Sequence, residues 1–212
     1  MAVRIEIISD VVCPWCFIGK RRLEEALRRV DAQVDVLWRP FQLNPDLPDT
    51  GVAREEYIRR KFGSAGPGLY ARVAAVGETV GIPFAFERIA RQPNTLRAHQ
   101  LIALAEPGRQ QDAVVETLFR AYFLEGADLT SAQTLAGLAV QAGLEPAAVE
   151  SCLADPAARL AVLQDEGAAR DLGVEGVPFF VFGGRLAVSG AHPPEVLIRG
   201  IQQAARGATD AA

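Results

Sequence analysis

Cys13-Pro14-Trp15-Cys16 is the stretch of this chain whose residue types and spacing can do covalent chemistry. Two cysteines three positions apart at the start of a helix can close a small disulfide ring. The first then faces outward beside backbone N–H groups that have no partner within the helix. Those donors and the helix dipole favour a thiolate, which makes Cys13 the expected nucleophile. Cys16, one turn further in, is the expected shielded thiol that resolves the adduct. Attack followed by resolution is dithiol–disulfide exchange. Two plainer readings compete with it. The pair could be inert core residues, since free cysteine favours burial. It could also be half of a zinc site, but zinc needs four N or S ligands. The remaining candidates, Cys152, His99 and His192, form no second close-spaced pair.

The elements around the motif are those of an α/β chain. Residues 4–9 alternate and are rich in isoleucine, which predicts a buried strand running into the motif. From 14 to 30 the period turns helical, with Cys16, Leu23, Leu27 and Val30 on one face. Pro14 suits the first helical position, where its missing N–H has no partner to lose. Residues 33–38 alternate again, so the chain opens as a βαβ unit with a parallel pair. From Asn44 to about Pro156 no strand is evident. Helices are expected at 52–62, 69–80, 95–105, 110–124, 131–142 and 146–153, with Gly and Pro between them. Thr130 is the expected N-cap of the fifth of these and Gly143 its stop.

The α/β rhythm returns after Pro156. A helix through Asp171 leads to the apolar run Phe179-Phe-Val-Phe182, and Gly183-Gly184 signals a hairpin into a strand at 185–188. Pro194 opens a last helix to about Ala205, with 207–212 frayed. The plan is a domain made of 1–43 and 156–212, interrupted by a helical insertion at 44–155.

Composition narrows the function classes. Half of the 212 residues are hydrophobic and 23% are charged, as in folded globular domains and unlike disordered chains. The net charge of −4 offers no basic footprint for nucleic acid, and the longest apolar runs are too short to span a bilayer. Glu6 and Asp10 interrupt the first apolar run, so no secretory signal is expected and the chain is assigned to the reducing cytoplasm. Three cysteines cannot build a disulfide scaffold. The Arg-rich helices show no heptad seam, which leaves the oligomeric state open.

Gly176-Val177-Pro178-Phe179 places a proline directly before a strand, where it removes a ladder hydrogen bond. Taken alone, an ordinary trans proline at a strand edge explains it. A CxxC at a strand–helix junction, a late Val-Pro, and a closing hairpin and helix together resemble the thioredoxin fold with a large all-helical insertion, as in the DsbA family. The runs Ser9-Asp-Val-Val-Cys-Pro-Trp-Cys-Phe-Ile-Gly-Lys20, Arg39-Pro-Phe-Gln-Leu-Asn-Pro45, Asn94-Thr-Leu-Arg-Ala-His99, Gly173-Val-Glu-Gly-Val-Pro-Phe-Phe180 and Ser189-Gly-Ala-His-Pro-Pro-Glu195 are similar to its FrnE-like branch. The resemblance implies Cys13 as nucleophile, Cys16 as resolving cysteine, and Val177-Pro178 as a cis-proline loop against the dithiol. There the Val177 backbone would bind an extended substrate as an added strand. No tightly bound cofactor and no metal is implied.

The superfamily also holds kappa-class glutathione transferases and 2-hydroxychromene-2-carboxylate isomerases, in which a serine replaces the first cysteine. Cys13 favours redox chemistry instead. Their Ser-Asp clamp for glutathione is Ser189-Gly190 here and lacks its carboxylate. Glutathione remains a candidate co-substrate through Val177, Ser189 and Asn44. Pro14 and Trp15 form the active-site dipeptide. Trp15 cannot supply a cation to Cys13, so a mild potential is expected, with substrate contact as its other role. His99 reads as a structural histidine, His192 as a polar residue at a helix entry, and Cys152 as buried and inert. The charges 21–29 read as a solvated helix face.

The function expected is therefore cytosolic thiol–disulfide exchange with protein thiols and disulfides or with glutathione, under a helical lid that leaves an apolar groove. The alternatives are a glutathione-dependent isomerase or transferase acting on an aromatic or polyketide metabolite, and a binding module with a dithiol switch.

Overall fold

The computed structural model describes residues 2–209. The expectation of a frayed end at 207–212 lies in part outside the described residues. What is described of that end is the last turn of a helix that reaches Thr209.

Strand β1 (Val3–Ser9) enters helix α1 (Pro14–Arg28), which returns through β2 (Val34–Pro40). β1 and β2 pair in parallel, from Val3 opposite Val34 to Ser9 opposite Pro40. β5 (Phe179–Phe182) and β6 (Leu186–Ser189) complete a four-stranded sheet in the order β2-β1-β5-β6, with β5 antiparallel to both neighbours. The hairpin between β5 and β6 turns at Gly183 and Gly184, whose φ values of +58° and +68° only glycine adopts readily.

Alternation in β1 decides which side packs where. Ile5 and Ile7, opposite Phe182 and Phe180, join the main core with α1 and with α9 (Pro194–Thr209). Ile8, opposite Phe179, joins a smaller cluster with Phe41, Ala169 and Val174 on the other face, under α8 (Pro156–Asp171). The sheet is thus covered on both sides. This is the α/β thioredoxin arrangement with a helical insertion.

Between β2 and α8 lie α2 (Arg54–Phe62), α3 (Gly66–Glu78), α4 (Leu96–Leu104), α5 (Arg109–Arg120), α6 (Ala132–Gln141) and α7 (Pro146–Ala154). The expectation of no strand in this segment is corrected in a small way. β3 (Val52–Ala53) and β4 (Arg91–Gln92) form a two-residue antiparallel pair, too short to show any period in sequence. The helix expected at 110–124 is α5 continued by a π-helical turn at Ala121–Glu125, a change of helix type that the sequence did not signal. Ser131, not Thr130, caps α6: its side chain accepts from the Thr134 N–H, while Thr130 is held by Asp128. Gly143 stops that helix at φ +99°.

Among the described residues, no helix is long and apolar enough to cross a membrane.

Candidate active site

Cys13 is the N-cap of α1, with extended backbone angles, and Pro14 follows in the first turn. Its carbonyl accepts from the N–H of Cys16 at 3.0 Å and of Phe17 at 3.4 Å, which begins the helix. Both thiols are buried, Cys13 at 4% exposure and Cys16 at 1%. Cys13 therefore does not stand out into solvent as its capping position suggested. The carbonyl of Val177 lies 3.5 Å from its sulfur, and residues of α2 and α3 face it across a cavity.

Burial is the main cause that pushes the Cys16 thiol well above its ordinary value, and neighbouring Cys13 adds to it. The Ser9 side chain and the Asp10 backbone oppose this without cancelling it. At rest Cys16 is thus a neutral thiol shielded beneath Cys13.

The Val177–Pro178 peptide bond is cis. The Pro178 carbonyl accepts from the Gly190 N–H at 2.7 Å, which ties the loop to the end of β6. α1 can lie this close because Gly19 has no side chain: a Cβ there would meet Pro178 at 3.1 Å and Phe180 at 3.2 Å.

A cavity of about 440 Å³ opens beside Cys13. Four of the sequence-derived candidates, Cys13, Pro14, Trp15 and Val177, line it; Cys16, one turn into α1, and Pro178, next to Val177, do not. Two candidates are placed elsewhere. Ser189 is exposed at the end of β6, opposite Phe179, and is not a cavity wall. Asn44 stands one step behind the wall, where its Oδ1 accepts from Lys61 Nζ at 3.0 Å and its buried Nδ2 has no partner.

The far wall is built from residues that sequence reasoning missed. Arg54, Tyr57 and Lys61 come from α2, and Leu69, Arg72, Val73 and Val76 from α3, with Tyr70 between them. Their spacing was a readable signal, since 54, 57 and 61 share one helix face, as do 69, 72, 73 and 76. The groove expected to be apolar therefore also carries cations. A larger cavity of about 660 Å³ lies at the opposite end of the sheet, around Val3 and Gly183–Arg185, far from the dithiol and without a cysteine.

Beneath the motif, His99 comes within 3.5 Å of Asp10, Nε2 to Oδ1, with both side chains buried. The other Asp10 oxygen accepts from the Leu43 N–H at 2.8 Å. His192 is exposed, and its N–H bonds the Gly190 carbonyl. Cys152 is buried in α7, its thiol donating to the Gln100 carbonyl at 3.5 Å. Burial raises that thiol above its ordinary value.

Residues 4–202 match the family model of the DSBA-like thioredoxin domain. A chain from Streptomyces coelicolor described as a probable DsbA oxidoreductase is 32% identical, with 95% of this chain and 89% of that one covered and a TM-score of 0.84. A 2-hydroxychromene-2-carboxylate isomerase superposes with a TM-score of 0.75 over 99% of both chains at 18% identity. The cytosolic disulfide reductase DsbM of Pseudomonas aeruginosa, solved with GSH, gives 0.65 over 98% of both chains, also at 18%. The last two likenesses speak to fold.

Proposed function

The chain belongs to the DSBA-like thioredoxin domain family, and from that premise we propose that it is a cytosolic thiol–disulfide oxidoreductase working through Cys13 and Cys16. The observation that carries this reading is the placement of the pair. Cys13 caps α1 at the wall of a cavity, with Cys16 one turn behind it and fully buried.

In the reductive direction the Cys13 thiolate attacks one sulfur of a disulfide. That S–S bond breaks, one thiol leaves, and a mixed disulfide joins Cys13 to the other half. Cys16 gives up its proton and attacks the Cys13 sulfur, which releases the second thiol and closes the Cys13–Cys16 disulfide. Two electrons pass to the substrate and two protons accompany them. The burial that keeps Cys16 neutral at rest delays its attack until the adduct has formed. In the oxidative direction the same steps run backwards. Val177 and Pro178 would hold the substrate against the sulfurs, and Trp15, 39% exposed, would touch it at the rim.

The substrates we propose are extended peptide segments on the cis-proline loop or small disulfides, with glutathione as a co-substrate. The cytosolic assignment is supported by likeness in fold to a reductase described as cytosolic. A glutathione-dependent isomerase or transferase is the lesser reading, because Ser189 lies off the cavity and the neighbouring position is Gly190. Incubation of Cys16→Ser with glutathione disulfide should accumulate a mixed disulfide on Cys13, seen by intact-mass measurement. Absence of that adduct, or full turnover by Cys13→Ser, would contradict the proposal.

A further inference from the structure

Arg54 is 6% exposed, yet it lines the cavity beside Cys13. Its partners are neutral. Nη1 donates to Gln92 Oε1 and to the Tyr122 hydroxyl, and the guanidinium lies over the rings of Tyr70 at 4.9 Å and Tyr57 at 5.6 Å. A buried cation without an anion is costly, because polar and aromatic neighbours replace only part of its hydration. Lys61 and Arg72, both exposed, join the same wall, and none of the described residues lining the cavity is acidic. This positive site sits in a chain of net charge −4. Lining an enclosed space with one sign of charge focuses the field inside it.

The remaining walls are apolar or aromatic: Trp15, Leu43, Phe62, Leu69, Val73 and Val76. The volume of about 440 Å³ suits a small molecule. Cys13 is only 4% exposed, so a small reactant reaches it more readily than a disulfide on the surface of a folded protein.

We propose that this cavity binds an organic anion, and that the disulfide reduced at Cys13 is a small aromatic or apolar one carrying a carboxylate, with Arg54 as its buried counter-ion. The proposal rests on the exchange reading above and narrows its substrate. Arg54 fixes the carboxylate, Lys61 and Arg72 attract it at the rim, and Tyr57 and Tyr70 flank the ring. Tyr70 stays protonated and available as a donor, since burial raises it and outweighs the lowering by Arg54. The Cys13 thiolate attacks one sulfur of the bound disulfide and the first carboxylated thiol leaves. Cys16 then attacks Cys13 and the second leaves, so the disulfide gains the two electrons that the dithiol loses.

Two chromogenic aromatic disulfides test this: dithiobis(nitrobenzoate), which is anionic, and dithiodipyridine, which is neutral. The measured quantity is each probe's second-order rate with the reduced protein, and the change in their ratio between variants. Arg54→Gln should lower the ratio of the anionic to the neutral rate by about tenfold. Lys61→Gln and Arg72→Gln should each lower it by about two- to threefold. Equal effects on both probes, or none on either, would overturn the proposal.

Should Arg54→Gln not fold, competition in the wild-type protein decides. Naphthoate should slow the neutral probe and naphthamide should not; equal protection by both, or by neither, sinks the anion site. Wild-type protein that never consumes the neutral probe while closing its disulfide would refute the exchange reading, and this proposal falls with it. Consumption without anion preference refutes the anion site alone.

Discussion

Two buried cations in this protein are treated in opposite ways. Lys20, in α1, is 3% exposed and lies within ion-pair distance of Glu24, Asp112 and Glu116. Arg54, in α2, is buried almost as deeply beside neutral groups. Burying a charge is costly in both places. Around Lys20 the chain's own carboxylates offset that cost and pin α1 to α5, helped by Arg21 on Glu116. Around Arg54 no acid among the described residues does so, and the cavity leaves room for one to arrive. One cation belongs to the scaffold and the other to the chemistry. The comparison predicts that changes near Lys20 alter stability, whereas changes around Cys13 and its cavity alter reactivity.

Cys13→Ser should give the largest effect. Dithiol turnover, followed as reduction of a chromogenic disulfide, should fall by about a thousandfold or more, while the melting temperature moves little. A large loss of stability with retained turnover would break the distinction. Lys20→Met should do the reverse. Removing the shared cation leaves three half-buried acids facing one another, and we expect a loss of about 2 kcal/mol in denaturant unfolding. The exchange rate per folded molecule should stay within about twofold of wild type.

The same cluster has a pH signature. Burial pushes Glu116 up, but the hydrogen bond from Arg21 and the charges of Lys20 and Arg21 outweigh it and hold the carboxyl below its ordinary value. A group depressed on folding contributes stability above its unfolded pKa and loses that contribution as pH falls through the folded one. Stability should therefore decline as the solution is acidified below about pH 4.5, and Glu116→Gln should flatten that decline. Cys152→Ala should have the smallest effect. It removes a buried sulfur from α7 at about 1 kcal/mol and should leave the redox midpoint of Cys13–Cys16 where it was.

What sequence could reveal follows from the range of the interactions involved. Cys13 and Cys16 were legible because a helix start is a local object: spacing, Pro14 and the preceding strand suffice. The burial of Cys13 was not legible, since Val177 reaches it only through the pairing of β5 with β1, and α2 and α3 come from the insertion. Val177-Pro178 entered by resemblance for the same reason. Ser189 and Asn44 also entered by resemblance, as glutathione contacts, yet strand pairing sets Ser189 opposite Phe179 and Asn44 turns to Lys61 behind the cavity wall. His99 read as structural, and no local pattern announced that it would meet Asp10 in the interior. The charges 21–29 of α1 read as a solvated face, whereas Arg21 reaches across to α5 and Arg22 to the Ala191 carbonyl; Lys20, just before the run, also pairs with α5. Arg54 was hidden among many arginines, and only the faces of α2 and α3, taken together over one space, single it out.

The central claim is that Cys13 and Cys16 form a working redox pair. Equilibration in graded glutathione buffers, with thiol trapping of the two cysteines and Trp15 fluorescence as a parallel signal, tests it most directly. The account predicts a single two-electron transition between roughly −180 and −300 mV that closes the Cys13–Cys16 disulfide. A stable glutathione adduct on Cys13 with no intramolecular disulfide at any ratio would contradict it.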